Sequence, residues 1–272
     1  MSALENFPTV IQAIVVAFLF AAISVTGIYI TRRQLPPHTL QADHEVAGFT
    51  FGVVGAFYGV VLAFVIVAVW QRFERTNEKV QAESLAISNL YNLANGFEEP
   101  ARTQLQNALH DYASHVVNQE WREMAEYRYT QNSTFERRLW SVLVNYHPND
   151  PHRQVFLDKS IDQMADLSDA RRLRYVYYSE DLPSVIWIVI YAGCVIVLGF
   201  GLFFETRVFR SQAIMSGTFA ALIGLTILAI SELATPYQGT VVVSDEAFRF
   251  ALNSMAPVQP LPSQPELRPS DP

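Results

Sequence analysis

The chain of 272 residues carries 19 basic and 26 acidic side chains, for a formal net charge of −7, and half of its residues are hydrophobic. The acidic balance argues against nucleic-acid binding, which depends on a basic patch or stripe. Four long runs without a charged residue exclude an ordinary soluble enzyme. The single cysteine, Cys194, allows no intramolecular disulfide.

The four uncharged runs predict membrane-spanning helices. They are 26, 26, 23 and 21 residues long and cover residues 6–31, 46–71, 182–204 and 211–231. A helix needs about 20 mainly apolar residues to cross the hydrocarbon core of a bilayer. The residues before the first run lack the basic region of a cleavable signal peptide, so we interpret that run as a retained helix.

The first predicted span runs from Val10 to Ile30 and the second from Val46 to Trp70. No glycine or proline interrupts the chain between Val60 and Asn95, so the second helix is expected to continue beyond the membrane. The pair Asn95-Gly96 is a stop signal, since both residues tolerate the left-handed conformation that ends helices.

Residues 71–182 differ in composition, with 13 basic and 17 acidic side chains. Apolar residues recur there at helical spacing, and mixed-sign charges are typical of a solvated helix face. This zone is therefore predicted to be an extramembrane helical bundle. Its helices are expected near 71–95, 100–128, 134–146 and 151–180.

The third and fourth predicted spans run from Ser184 to Phe204 and from Ser211 to Ser231. An extended stretch at 239–244 and a short helix at 245–254 are expected to follow. The last 16 residues contain six prolines and are predicted to be disordered. The predicted fold is thus all-α, with four transmembrane helices in two hairpins. Its segments are a first hairpin at 1–70, the bundle at 71–182, a second hairpin at 183–232 and a C-terminal segment at 233–272.

The membrane orientation stays open. Arginines in the two short loops, such as Arg32 and Arg33, place those loops in the cytoplasm by the positive-inside rule. Arginines at the opposite membrane ends, such as Arg72 and Arg174, argue for the reverse. Arginines near the membrane ends are also expected to attract anions.

The second span has two distinct faces. Glycines at a spacing that lets another helix approach closely fall within about 60° of arc. These predicted helix-packing residues are Gly48, Gly52, Gly55 and Gly59. Bulky apolar residues face away from them, namely Phe57, Val61 and Phe64.

Two interpretations of the bulky face are open. In the first, Phe57 and Phe64 face lipid or fill the bundle core. In the second, they form an apolar constriction where several copies of this helix surround an axis. Such constrictions gate conduction by dewetting. Because no span carries a charge, four helices from one chain do not line a polar pore, and a channel would be an oligomer. Missing intramembrane charge also disfavours a proton-coupled transporter.

Candidate metal and catalytic groups are few. His110, Asp111 and His115 share one predicted helix, His147 and His152 bracket Asp150, and Asp43-His44-Glu45 precedes the second span. Solvated polar residues and helix caps explain these groups most simply. No catalytic or nucleotide-binding motif is present, so we predict no catalytic residue, metal or cofactor, and no enzyme.

Several stretches resemble a bestrophin-like membrane family defined as a domain of unknown function. They are His44–Tyr58, Leu62–Trp70, Leu167–Arg174, Leu182–Trp187, Pro236–Gly239 and Val243–Phe248. The wider resemblance to true bestrophins rests on two membrane hairpins around a helical domain and a second helix rich in glycine and phenylalanine.

True bestrophins are pentameric anion channels whose second helices line a narrow apolar neck. The resemblance implies that Phe57, Val61 and Phe64 are pore-lining and that the helical domain is cytoplasmic. Bestrophin calcium sensing uses an acidic cluster after the last membrane helix, where only Asp245 and Glu246 stand here. Calcium gating is therefore not expected.

The function predicted from the sequence is a homo-oligomeric anion channel, multi-pass in a bacterial inner or plasma membrane. Its expected partners are the lipid bilayer, further copies of the chain and a permeant anion, and not nucleic acid. The alternative is a membrane-anchored scaffold or sensor whose helical bundle binds a partner protein.

Overall fold

The structure is a computed structural model that describes residues 9–34, 44–129, 133–202 and 208–255. Within these ranges every regular element is helical and no strand occurs, so the predicted all-α class is confirmed. The predicted disordered tail at 257–272 and the acidic Asp43 lie outside the described residues.

Nine α-helices are described in these ranges, together with a 3₁₀ turn and a π-helical turn. The helices are α1 (Thr9–Gln34), α2 (His44–Leu93), α3 (Ala101–His115), α4 (Trp121–Ala125), α5 (Thr134–Asn145), α6 (Pro151–Ser179), α7 (Ser184–Leu202), α8 (Phe209–Ala234) and α9 (Glu246–Ser254). The 3₁₀ turn is Ala94–Gly96 and the π-helical turn is Val116–Glu120.

Four of the described helices are long and apolar enough to cross a membrane: α1, α7, α8 and the apolar part of α2. The predicted spans fall on these four. As expected from its lack of glycine and proline, α2 continues far beyond its apolar run. It is 50 residues long, or about 75 Å at a rise of about 1.5 Å per residue.

The chain divides into two compact units, and the first combines residues from within 1–80, 121–131 and 170–244. Its apolar core joins α2, α7 and α8, and includes Tyr58, Leu62, Val69, Ile190, Cys194, Val197, Ile223, Ile227 and Ile230. Helix α1 packs along α8. A Cβ at Gly224 of α8 would lie only 2.6 Å from Cγ of Phe20, so the glycine lets that ring approach the helix.

The second unit combines residues from within 81–120, 132–169 and 245–272. Its buried side chains come from the end of α2 and from α3, α5, α6 and α9, and include Leu90, Leu105, Leu109, Leu139, Leu143, Met164 and Phe248. The hydroxyl of Tyr112 donates a hydrogen bond of 2.5 Å to Oε1 of the buried Glu83.

The predicted helix at 100–128 is broken in the structure. Helix α3 ends at His115, the π-helical turn follows, and α4 ends at Ala125, shortly before Tyr127 takes a positive φ of 55°. Apolar periodicity does not reveal this break because buried residues continue through it, among them Val116, Val117 and Met124. In the stretch predicted as extended at 239–244, residues 239–241 are bends, beginning at Gly239 with a φ of +89°, and residues 242–244 form no regular element.

Candidate pore-lining face of the second helix

One face of α2 is anchored in the core of the first unit. Tyr58, Leu62 and Val69 lie on that face and are nearly fully buried. They pack with apolar residues of α7 and α8. Their spacings of four and seven residues place them on one side of the helix, so this packing determines which side of α2 faces away.

Tyr58 makes the most specific contact of this anchored face. Its hydroxyl donates a hydrogen bond of 2.7 Å to the backbone carbonyl oxygen of Ile190 in α7. Its ring lies directly against Gly193, where a Cβ atom would overlap the ring. The sequence showed Tyr58 only as part of the family resemblance. A tyrosine inside one uncharged span, together with a glycine in another span, is the sequence pattern that would indicate this contact.

The other side of α2 is exposed and apolar over its whole membrane segment. It presents six large side chains, which we call the exposed stripe: Phe49, Val53, Phe57, Val60, Phe64 and Val67. From first to last the exposed stripe covers about 27 Å along the helix, close to the roughly 30 Å of a bilayer's hydrocarbon core. An apolar surface of that length suits lipid or another apolar helix.

The predicted pore-lining residues lie on or beside the exposed stripe. Phe57 is 72% exposed and Phe64 is 73% exposed, while Val61 is half-buried at the edge. The two phenylalanines are seven residues apart, two turns of helix, so their rings are separated by about 10 Å along the axis. Their role in a pore stays a prediction.

The predicted helix-packing glycines have few neighbours within the chain. At Gly52 and Gly59 a Cβ would meet nothing within 4 Å, and at Gly55 it would meet only Cζ of Phe219, at 4.0 Å. Gly48 is half-buried. A groove of about 280 Å³ runs beside Gly55 and Gly59 and is lined by residues of α2 and α8. Any helix that packs closely at Gly52 and Gly59 would therefore have to come from outside the described chain.

The arginines expected to attract anions differ in exposure. Arg171 and Arg174 are each only 1% exposed. The Arg174 guanidinium lies 5.8 Å from the ring centroid of Trp121, and its Nη1 is 3.6 Å from the sulfur of Met124. Both are therefore buried rather than surface arginines, and their expected attraction of anions stays a prediction. The same attraction stays a prediction for exposed arginines near the membrane ends, which include Arg33, Arg75, Arg172 and Arg210.

Arg32, at the end of α1, is also engaged. Its Nε and Nη2 donate hydrogen bonds of 3.0 and 2.6 Å to Oε1 of the buried Gln212 in α8. Its guanidinium lies 5.6 Å from the ring centroid of Phe209. Arg32 therefore ties α1 to α8 at the short-loop end of these helices.

The candidate metal groups that lie among the described side chains form no cluster of three ligands. Across the part of the chain that the structure describes, no three His, Cys, Asp or Glu side chains are grouped as metal ligands. Asp111 forms an ion pair of 2.8 Å with Arg138. The His115 ring stacks on Phe135 at 4.4 Å, and Nδ1 of His147 lies 3.0 Å from the carbonyl oxygen of Asn145.

These features define the class of protein. An all-α chain with four described helices of membrane-spanning length and composition, and with lipid-compatible surfaces on them, is a helical membrane protein. The chain belongs to the bestrophin-like family, since the Bestrophin-like domain matches residues 18–248. The resemblance in the sequence is thereby confirmed.

Solved structures show the same fold. A variant of a bacterial bestrophin homologue from Klebsiella pneumoniae is 16% identical, with a TM-score of 0.64 over 90% of this chain and 97% of that chain. A second variant of the Klebsiella homologue is 14% identical, with a TM-score of 0.61 over the same shares. A structure described as a membrane protein is 14% identical, with a TM-score of 0.62 over 90% of this chain and 97% of that chain. No curated protein sequence matches the chain.

Proposed function

We propose that this protein is a homo-oligomeric anion channel, multi-pass in a bacterial inner or plasma membrane, in which copies of α2 surround the pore. The observation that carries the proposal is the exposed stripe, which is apolar along the membrane segment of α2 while the opposite face is anchored by Tyr58. Membership of the bestrophin-like family supports a channel rather than an enzyme.

The proposed assembly follows from the composition of the membrane helices. The apolar runs carry no charged residue, so the four helices of a single copy offer no charged lining for a hydrated path. A ring of copies creates a central path between helices instead of within one bundle. The open space at Gly52 and Gly59 supports such a ring, because small residues let helix backbones approach closely.

The proposed barrier consists of Phe57 and Phe64, with Val61 between them. Apolar side chains around a narrow path exclude water and thereby oppose ion passage. Aromatic rings carry partial positive charge at their edges, so rings that turn their edges toward the axis favour anions. The exposed arginines near the membrane ends would raise the local anion concentration further.

The proposed arrangement outside the membrane follows the composition of the chain. We assign residues 71–182 to an extramembrane bundle, on the same side as both ends of the chain, because four spans return the chain to its starting side. By the resemblance to bestrophins this side is the cytoplasm.

Chloride flux from reconstituted vesicles tests the proposal. Purified oligomer should conduct chloride, and Phe57→Ala and Phe64→Ala should each raise the flux by widening the apolar barrier. Phe18→Ala is the matched control, since Phe18 is a 75% exposed phenylalanine of α1, outside the proposed pore. The proposal fails if well-folded oligomers pass no chloride, or if Phe18→Ala changes the flux as much. A silent oligomer would favour the scaffold alternative.

A further inference from the structure

A second feature of the first unit is a pocket of about 440 Å³ among α1, α7 and α8. This volume lies within the range of small-ligand pockets, about 300–1,000 Å³. The pocket runs along α8 from Gly224 to Glu232, about 12 Å of helix. None of its lining residues belongs to the exposed stripe, so the pocket and the stripe are separate sites.

The inner end of the pocket is apolar. Phe20 of α1 packs against Gly224 there, and Leu19 and Ile227 continue the apolar wall. Trp187 and Tyr191 line another side, with their rings stacked at 5.7 Å between centroids. Trp and Tyr are the side chains enriched where a bilayer meets water.

The outer end of the pocket carries a half-buried carboxylate, that of Glu232. Its Oε2 accepts hydrogen bonds of 2.9 Å from the backbone nitrogen and from Oγ1 of Thr240. Its Oε1 receives no hydrogen bond from any residue that the structure describes. Among the described lining residues no lysine or arginine occurs, so none of these residues places a cation beside the carboxylate.

Two other polar groups at this end, Gln238 and Ser231, each donate a hydrogen bond to a backbone carbonyl oxygen. Nε2 of Gln238 donates a hydrogen bond of 2.9 Å to the carbonyl oxygen of Met124. Oγ of Ser231 donates a hydrogen bond of 2.8 Å to the carbonyl oxygen of Leu228. The charge that the described residues present at this end of the pocket is the carboxylate of Glu232. A ligand that complements this end carries a positively charged hydrogen-bond donor.

We propose that the pocket binds one acyl chain of a bilayer lipid with a primary ammonium headgroup, such as phosphatidylethanolamine. The chain fills the apolar end between Phe20 and Trp187, and the ammonium group donates to Oε1 of Glu232. Lipid is the proposed occupant because the pocket lies between helices of membrane-spanning length and composition. The separation of an apolar end from an anionic end matches the two parts of such a molecule.

Native mass spectrometry of the intact purified protein tests this proposal. The probe is an equimolar mixture of phosphatidylethanolamine and phosphatidylglycerol with identical chains, added after delipidation. The unmodified protein should retain phosphatidylethanolamine in preference. Glu232→Gln should weaken that binding roughly tenfold, the scale of a lost charge-assisted hydrogen bond. Val16→Trp should abolish retention of both lipids, because Val16 lines the pocket.

Val15→Trp is the matched control, since Val15 is the 39% exposed neighbour of Val16 and does not line the pocket. Equal lipid retention by the Val16 and Val15 variants would overturn the site. Equal retention of the two lipids by the unmodified protein would overturn the ammonium assignment.

A fluorescence measurement keeps the proposal testable if Glu232→Gln disturbs the turn at Thr240. Lipids with brominated chains quench the fluorescence of nearby tryptophans. The part of this quenching that disappears in Trp187→Phe reports a lipid chain beside Trp187. This signal should be larger for brominated phosphatidylethanolamine than for brominated phosphatidylglycerol. Equal signals, or no signal from Trp187, would contradict the proposal, and neither result depends on chloride flux.

Discussion

The hydroxyl of Tyr58 in α2 donates a hydrogen bond of 2.7 Å to the backbone carbonyl oxygen of Ile190 in α7. This bond and the fit of the tyrosine ring against Gly193 join the proposed pore helix to the rest of its unit. The direction in which Phe57 and Phe64 point therefore depends on residues of another helix.

Gly193→Ala should destabilise the protein. The added methyl would overlap the Tyr58 ring, and overpacking of this kind costs about 1–3 kcal/mol. Thermal unfolding in detergent should show a lower midpoint. Gly199→Ala, in the same helix but with nothing within 4 Å of its Cβ position, is the control and should leave the midpoint nearly unchanged. Equal midpoints for the two variants would show that the Tyr58 contact is not tight.

Tyr58→Phe should have a smaller effect than Gly193→Ala. It keeps the ring in place and removes only the hydrogen bond to Ile190, a loss of about 0.5–1.5 kcal/mol. Tyr29→Phe, which alters a 56% exposed tyrosine of α1, is the control for removal of a hydroxyl. If both variants unfold at the same temperature, the buried bond contributes nothing measurable.

Gly59→Leu should change assembly but not the fold of a single copy. Its Cβ position has open space within the chain, whereas a leucine would hold a neighbouring helix away. Mass measurement in detergent should show a smaller oligomer, with helical content by circular dichroism unchanged. Gly199→Leu is the matched control, and it should keep the oligomer intact. An unaltered oligomer in Gly59→Leu would remove the glycines from the interface.

Cysteine labelling should separate a pore surface from a lipid surface. Cys194 is the single native cysteine and is 7% exposed, so reaction of the native chain with a water-soluble thiol reagent should be slow. Phe57→Cys should react faster than Phe18→Cys, because only the former would face a water-accessible path. The measurement is the labelling rate in lipid vesicles, with unfolded protein as the reference for full labelling. Equal rates would place Phe57 against lipid.

The helices near the membrane were predictable because their physical cause is local. A run of 21 to 26 residues without charge favours a helix that spans the membrane. Because no glycine or proline occurs between Val60 and Asn95, α2 continues to Leu93. The alternation of small and bulky residues along α2 also indicated two faces before any contact was known.

The features that were missed depend on residues far apart in the chain. Nothing near Tyr58 in sequence indicates that Gly193 makes room for its ring. Burial of Arg171 and Arg174 was not expected, because charges at such spacing usually lie on a solvated face. The pocket at Glu232 depends on the turn at Gly239, where the backbone of residues 240 and 241 returns to the end of α8. The positive φ of a single glycine cannot be predicted from the helical spacing of apolar residues.

The anchored face of α2 also restricts how a conducting pathway could open. Rotation of α2 about its own axis would break the Tyr58 hydrogen bond and withdraw the Tyr58 ring from Gly193. A rotamer change of Phe57 or Phe64 disturbs neither contact, since both side chains are largely exposed. A tilt of α2 together with α7 also preserves them. If α2 lines a pore as proposed, gating by these two kinds of motion costs less free energy than rotation of α2 alone.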